Sequence, residues 1–322
     1  MKKRHSAIKK PKGIKVRRIV GLIGIMCLFL GLKTAFLSPG PLNSPPQSPQ
    51  VWVKFTEGTK QIALEDFLIG VVAAEMPASF PLEALKAQAI AARTYIYLHS
   101  PLSGRKDEFR HPDAAVCCDP AHCQAWQSPA QRQAKWGANS VLYEKKIKQA
   151  INETTGMLIT YNGKPAEAPY SACCGGKTEA AGDLWGSDIP WLQSVPCLWD
   201  EATAVYATQE VFSLKQAADL LGIKQGDLKK MAVLQTTAGG RVFTLKAGAT
   251  TLKGSRVRSL LRLRSAAFSW QIAEEKIVFY VQGYGHGVGL CQYGAGGMAK
   301  AGYLAEEILA HYFSGTALLK AY

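Results

Sequence analysis

The chain has 322 residues, 48% of them hydrophobic, enough for one large core or two smaller ones. A formal net charge of +14 points toward nucleic acid until its distribution is read: nine basic residues and no acid lie in 1–18. Without those nine and Lys33, 28 basic residues face 24 acidic ones, so the charge belongs to a tail and nucleic-acid binding has no other support.

The tail leads into Ile19–Leu32, IVGLIGIMCLFLGL, an apolar run of fourteen residues that reaches nineteen at Leu37 if Lys33 snorkels. Basic residues ahead of an apolar run keep the N-terminus in the cytoplasm and send the rest across. The shorter count suits the core of a cleaved signal peptide, and the longer one spans a thin or tilted bilayer. No Ala-x-Ala cleavage site follows, so an uncleaved signal anchor over 19–37 is expected, with the bulk of the chain at the membrane on its extracytoplasmic side. Ser38–Gln50 carries five prolines and reads as an extended spacer.

A strand is expected at Val51–Phe55, then a helix through LEDFLIGVVAAE, stopped by Pro77. Leu64, Phe67, Leu68, Val71 and Val72 recur at helical period and place Glu75 on or beside the buried stripe. There the carboxylate loses hydration and faces the negative end of the helix dipole, and both effects favour its protonated form. A glutamic acid kept neutral is the usual donor to the leaving oxygen of a glycosidic bond. The plain alternative is that Glu75 accepts from an arginine or an amide and holds the turn.

A second helix begins near Pro81 and presents Leu82, Leu85, Ala89, Ala92 and Ile96 on one face, with Arg93 at its edge, where it would orient a carboxylate or substrate or serve as an ion-paired residue. Ile147–Thr155 reads as a helix, and Met157–Tyr161 with Asn162–Gly163 as a strand entering a hairpin turn. Between 200 and 275, strands at Val233–Thr237 and Arg241–Lys246 flank the Ala238–Gly239–Gly240 turn, with short helices closed by Gly222 and near Arg256–Arg264. That stretch holds no catalytic cluster. The expected fold is α+β, mixed helices and antiparallel sheet, with a main domain from 51–199 and 276–322 and a smaller one at 200–275.

Of eight cysteines, Cys27 lies in the apolar run and seven follow it, an odd number for a complete disulfide framework. In HPDAAVCCDPAHCQAW, His111, Cys117 and Cys123 are spaced six and six apart, with Cys118 and His122 as spare candidates. One imidazole and two thiolates suit zinc, and a Cys117–Cys123 or Cys118–Cys123 disulfide fits the spacing equally. Cys173, Cys174 and Cys291 read as small buried residues, with Cys197 a candidate partner for either group. Cys291, five residues after His286, is a weak candidate nucleophile. GYGHGVGLCQYGAGG holds seven glycines between 283 and 297 without the dinucleotide fingerprint, so the loop makes a close backbone approach, with His286 as ligand contact or turn support.

Together, VVAAEMPASFPLEALKAQAIAARTY (71–95), the HPDAAVCCDPAHCQAW loop (111–126), PYSACCGGKTEAAGDLWG (169–186) and GHGVGLCQYGAGGMAKAGY with ILAHYF (285–313) resemble the stage II sporulation protein D family of peptidoglycan lytic transglycosylases. The resemblance implies cleavage between N-acetylmuramic acid and N-acetylglucosamine, with Glu75 as the acid and then as the base while the muramoyl 6-hydroxyl closes on C1. The product would be a 1,6-anhydro sugar, with no need for a second enzymic carboxylate. It implies supporting roles for Arg93 and Tyr170, substrate contacts from His286, Gln292, Tyr293 and Tyr312, and zinc held by His111, Cys117 and Cys123. It also implies stem-peptide-free strands as substrate, and action with a partner amidase and a membrane scaffold during forespore engulfment. Cys173–Cys174 departs from the Ser-rich approach to Gly175–Gly176 usual in that family. Rival readings are a zinc-dependent peptidoglycan amidase with Glu75 as base, and a non-catalytic wall-binding activator.

Overall fold

The computed structural model describes residues 48–104 and 111–322. The basic tail, the anchor expected over 19–37 and all but the last residues of the spacer lie outside them. Among the described residues, no helix is long and apolar enough to cross a membrane.

The fold is α+β. Gln50–Phe55 pairs antiparallel with Gly58–Ala63, which leads directly into the Leu64–Glu75 helix. The end of the spacer serves this helix: Leu64 donates its amide to the Pro49 carbonyl and Glu65 donates to Ser48 Oγ, satisfying two of the unpaired amides of the first turn. Met76 is extended, as a residue before proline prefers, and the helix stops one residue before Pro77.

The Leu82–Leu98 helix is the axle of the larger core. Sequence periodicity suggests a single apolar face, yet Ala84, Ala87, Ala89, Ala91 and Ala92 are buried around it. Methyl side chains allow close approach from several directions, so the helix packs against Leu64–Glu75, Ser140–Glu153, Gln292–Lys300, Ala305–Tyr312 and the Met157–Tyr161 strand. The Ser140–Glu153 helix starts seven residues earlier than the periodicity suggests, because its first turn leaves Val141 and Leu142 exposed and so hides its amphipathic pattern.

Arg93 does not reach out from this helix. It is fully buried and forks onto Glu65, with Nε to Oε1 at 2.8 Å and Nη2 to Oε2 at 2.7 Å. Its remaining contacts are the Met157 and Ile151 carbonyls and Thr154 Oγ1. The Tyr322 hydroxyl and the Gly156 amide donate to the same Glu65 oxygen. These bonds of Arg93 serve a packed junction of helices and strand.

The second core is built from Leu214, Leu221, Val257 and Leu261 on short helices beneath Phe268, Ile277, Phe279 and Val281. Its antiparallel sheet has Lys276–Gln282 at the centre, between Ala267–Ala273 and Ala207–Ser213. Strand 276–282 thus packs with the smaller core, which runs to 282 rather than ending at 275. Gly222 closes its helix in the left-handed region at φ 67°, and Arg262 closes the next at φ 54°. Glu179 and Arg241, both buried, pair at 3.2 Å and pin this core to the larger one, with Thr237 donating to the same carboxylate.

Most strand pairs are antiparallel, but two short parallel contacts position the site. Val116–Cys117 joins Gln50–Phe55, and Leu290–Cys291 joins Tyr170–Ser171. The second needs the alternating glycines: Gly289 sits at φ +72°, where an added Cβ would lie 2.2 Å from the Pro169 carbonyl oxygen.

Candidate active site

Glu75 opens into a cavity of about 590 Å³ whose walls include Tyr170, Gln124, Trp185 and His286. Glu75 Oε1 accepts the Ala125 amide at 2.7 Å, so the loop that begins at His111 ends on the carboxylate. Burial holds the Glu75 pKa above the ordinary glutamate value, and hydrogen bonds from the Ala125 amide and the Gln292 side chain pull the other way. The Ala73 carbonyl at this helix end receives Lys135 Nζ at 2.9 Å, which offsets part of the negative helix terminus.

Polar groups crowd the same spot. Gln88 and Gln292 are buried, and Gln292 Nε2 donates to Gln88 Oε1 at 3.1 Å. The Tyr170 hydroxyl is enclosed and makes no hydrogen bond of ordinary geometry, as do Gln88 Nε2 and Gln124 Oε1. Burial and then the Glu75 charge keep the phenol protonated, against the influence of the Gln88 and Gln124 amides. Donors and acceptors left unsatisfied beside a desolvated carboxylate are what a hydroxyl- and amide-rich ligand would complete.

His286 forms another wall, its ring 5.7 Å from Trp185. Its Nδ1 accepts the Val288 amide at 3.0 Å, and burial with the Arg258 charge lowers its pKa to about 4. The ring is therefore neutral at neutral pH, with the Tyr170 backbone as a further hydrogen-bond partner. The structure does not gather every expected residue here. Tyr293 packs its ring against Phe80 and Tyr312 is 1% exposed with its hydroxyl 3.2 Å from Cys197 Sγ, and neither lines the cavity. Arg93 lines it no more than they do. Cys291 is fully buried and burial pushes its thiol far up, so it is no nucleophile poised by His286.

Some residues at the site escape sequence reasoning. Gln88, buried behind the cavity on Gln292, is a polar residue in an alanine-rich helix, and that mismatch is its only signal. Glu167 lines the cavity and so places a second carboxylate in its wall.

The loop itself is anchored by Trp126, stacked on Phe67 at 6.3 Å and edge-on to Phe55 at 5.0 Å. Upstream, His111, Cys117, His122 and Cys123 bring one donor atom each within 4.8 Å of one another. Cys123 Sγ lies 3.4 Å from His111 Nε2 and 3.3 Å from His122 Nδ1. Tetrahedral zinc with bonds of about 2.0–2.3 Å needs donors about 3.3–3.8 Å apart, so two imidazoles and two sulfurs suit it. His122, a spare candidate from spacing alone, completes this group of four, and the described cysteines are all free thiols.

Comparison with known proteins agrees with these motifs. The family model described as SpoIID, stage II sporulation protein, matches residues 54–161. Stage II sporulation protein D of Bacillus subtilis (strain 168) is 37% identical over 281 residues, covering 87% of this chain and 81% of the relative. The chain belongs to the stage II sporulation protein D family. The protein of the same name from Bacillus amyloliquefaciens is 36% identical over the same shares. An "Amidase enhancer" of Bacillus subtilis (strain 168) is 28% identical over 306 residues, 78% of this chain and 40% of that protein. The family match at 54–161 takes in the Glu75 helix and the His111–Cys123 loop, but the Tyr170 and His286 walls of the cavity lie beyond it.

Proposed function

We propose that this protein acts in cell-wall remodelling during sporulation, as a membrane-anchored lytic transglycosylase of peptidoglycan glycan strands. The observation that carries the reading is Glu75: an enclosed carboxylate with a raised pKa, set beside unsatisfied amide and phenol groups in a cavity. Glu75 in its acid form would protonate the glycosidic oxygen between N-acetylmuramic acid and N-acetylglucosamine. As a carboxylate it would then take the proton of the muramoyl 6-hydroxyl as that oxygen closes on C1. Tyr170 and Gln124 would hold sugar hydroxyl and N-acetyl groups, with the neutral His286 ring as a wall and Gln292, which does not line the cavity, supporting them from behind.

The substrate would be strands stripped of stem peptides, which fits work beside an amidase and a membrane scaffold at the extracytoplasmic face, with residues 19–37 as anchor. Similarity to a protein named amidase enhancer supports the amidase partnership. Glu167 on the cavity wall favours one second reading, a carboxylate-pair hydrolysis. Product chemistry separates them. Denuded strands digested by the full chain are expected to end in 1,6-anhydro-muramoyl residues by mass spectrometry, with Glu167→Gln still forming them. Ordinary reducing ends lost in Glu167→Gln would establish hydrolysis instead, and released stem peptides would establish an amidase.

The pH profile follows from the direction of the Glu75 shift. A raised pKa keeps the donor protonated above the ordinary glutamate value of 4.5, and activity falls as pH rises through the raised value. The alkaline limb of kcat/KM is therefore expected above 4.5. A limb at or below that value would remove Glu75 as the acid.

His111, Cys117, His122 and Cys123 would hold zinc in the loop. Four protein donors make a closed, structural site, where zinc supplies a cross-link rather than an activated water. Gln124 and Ala125 follow the last donor directly, so the loop fixes the amide that meets Glu75. His122→Ala is expected to lower zinc content and raise KM, with the Glu75-dependent chemistry retained at saturating substrate. Unchanged zinc content in this variant would remove His122 from the donor set.

A further inference from the structure

A second group of donors lies away from the cavity. Cys174, Cys197, Asp200 and Cys291, all buried, bring three sulfurs and a carboxylate oxygen within 4.8 Å of one another. They come from three segments: the Tyr170–Gly176 stretch, the loop after Pro196, and the start of the Gln292–Lys300 helix. We propose that these four residues form a second zinc site, structural in kind, that ties the segments together behind the active site.

Three features of the surroundings support a metal over simple packing. A buried carboxylate normally has a cation or a full set of donors. Asp200 Oδ2 meets three thiols, of Cys174 at 3.1 Å, Cys173 at 3.2 Å and Cys291 at 3.4 Å, besides the Gly175 amide at 3.0 Å, and thiols are weak donors. A disulfide would use two of the three sulfurs and leave the third and the carboxylate without a charged partner; zinc uses all four groups.

The outer contacts are those that thiolate ligands need. The Cys174 and Gly294 amides donate to Cys291 Sγ at 3.2 and 3.3 Å, and the Tyr312 hydroxyl lies 3.2 Å from Cys197 Sγ. Gly176 donates its amide to Asp200 Oδ1, and Arg241 donates to the Cys174 carbonyl at 2.8 Å. Three thiolates and a carboxylate around one divalent ion leave two negative charges, which these donors and the positive end of the Gln292–Lys300 helix oppose.

Space at the centre is reserved by a glycine. A Cβ on Gly294 would lie 2.2 Å from the Tyr312 hydroxyl and 2.5 Å from Cys197 Sγ. The helix start thus approaches the sulfurs as closely as it does only without a side chain.

Binding exchanges no electrons. Each of the three S–H bonds is replaced by a Zn–S bond, three protons pass to solvent, and the Asp200 oxygen supplies the fourth bond. The site would hold Tyr170, four residues before Cys174, and Gln292, next to Cys291, at the positions they take beside Glu75.

The test counts zinc in the full chain, detergent-solubilised and purified after expression with zinc. The wild type is expected to hold two zinc ions per chain, and the loop variant His111→Ala/Cys123→Ser one. In Cys174→Ser/Cys197→Ser the count is expected to fall from two to one. Cobalt in place of zinc in the loop variant is expected to give tetrahedral ligand-field bands with strong thiolate charge transfer. A loop variant without metal overturns the proposal, as does peptide mapping that finds two of Cys174, Cys197 and Cys291 cross-linked. Should the variants fail to fold, wild-type chain in mild denaturant decides. Alkylation of these three cysteines is expected only after chelator is added, and equal rates with and without chelator overturn the site.

Discussion

Glu75→Gln is expected to cut cleavage of denuded glycan strands about 100- to 10,000-fold, the usual contribution of a positioned general acid. Stability should be unchanged or slightly higher. The glutamine carbonyl can still accept the Ala125 amide, while the cost of holding a desolvated carboxylate disappears. The pairing of these two results is diagnostic. Lost cutting with an unaltered or raised melting temperature marks a chemical role, whereas a parallel fall in both would make Glu75 a turn-holding residue. Full cutting by the variant would make the fold a wall-binding module rather than an enzyme.

Arg93→Met is expected to cost about 3–5 kcal/mol of stability, since it leaves Glu65 buried without its counter-charge. Glu65 is 12% exposed at its side chain, so water offers it little relief. Chemical denaturation of the variant measures the loss, and Glu65→Gln/Arg93→Met is expected to regain part of it because the orphaned charge is gone. Family resemblance implies that Arg93 supports activity. The structure gives it a route to do so through the packing of the 82–98 helix, without contact with the cavity. A variant with native stability and no activity would restore a direct role.

What the sequence made legible was local. The Glu75 helix could be read because apolar periodicity ran into a proline, and burial of its last turn followed from the same pattern. The 82–98 helix was legible as a helix but not as an axle, since alanine carries too little hydrophobic signal to reveal how many neighbours surround it. Arg93 was therefore placed at an edge although it is enclosed. The loop donors were visible because they lie within thirteen residues, and His122 needed only the fold to select it. Cys174, Cys197 and Cys291 are separated by 23 and 94 residues, a distance over which spacing says nothing about convergence. The partner of Lys276–Gln282 was likewise hidden, because strand pairing depends on contacts remote in the chain.

The alanine-rich axle has a genetic consequence. Gln88 and Arg93 are five positions apart, about 140° around a helix with 3.6 residues per turn, so one faces Gln292 and the other the buried ion pair. Any enlargement of the methyl groups between them shifts both at once, at about 1–3 kcal/mol per added bulk. A random-mutagenesis screen for defective spores should therefore return clustered hits at Ala87, Ala89, Ala91 and Ala92, far outnumbering those in the solvent-facing turns of the smaller core.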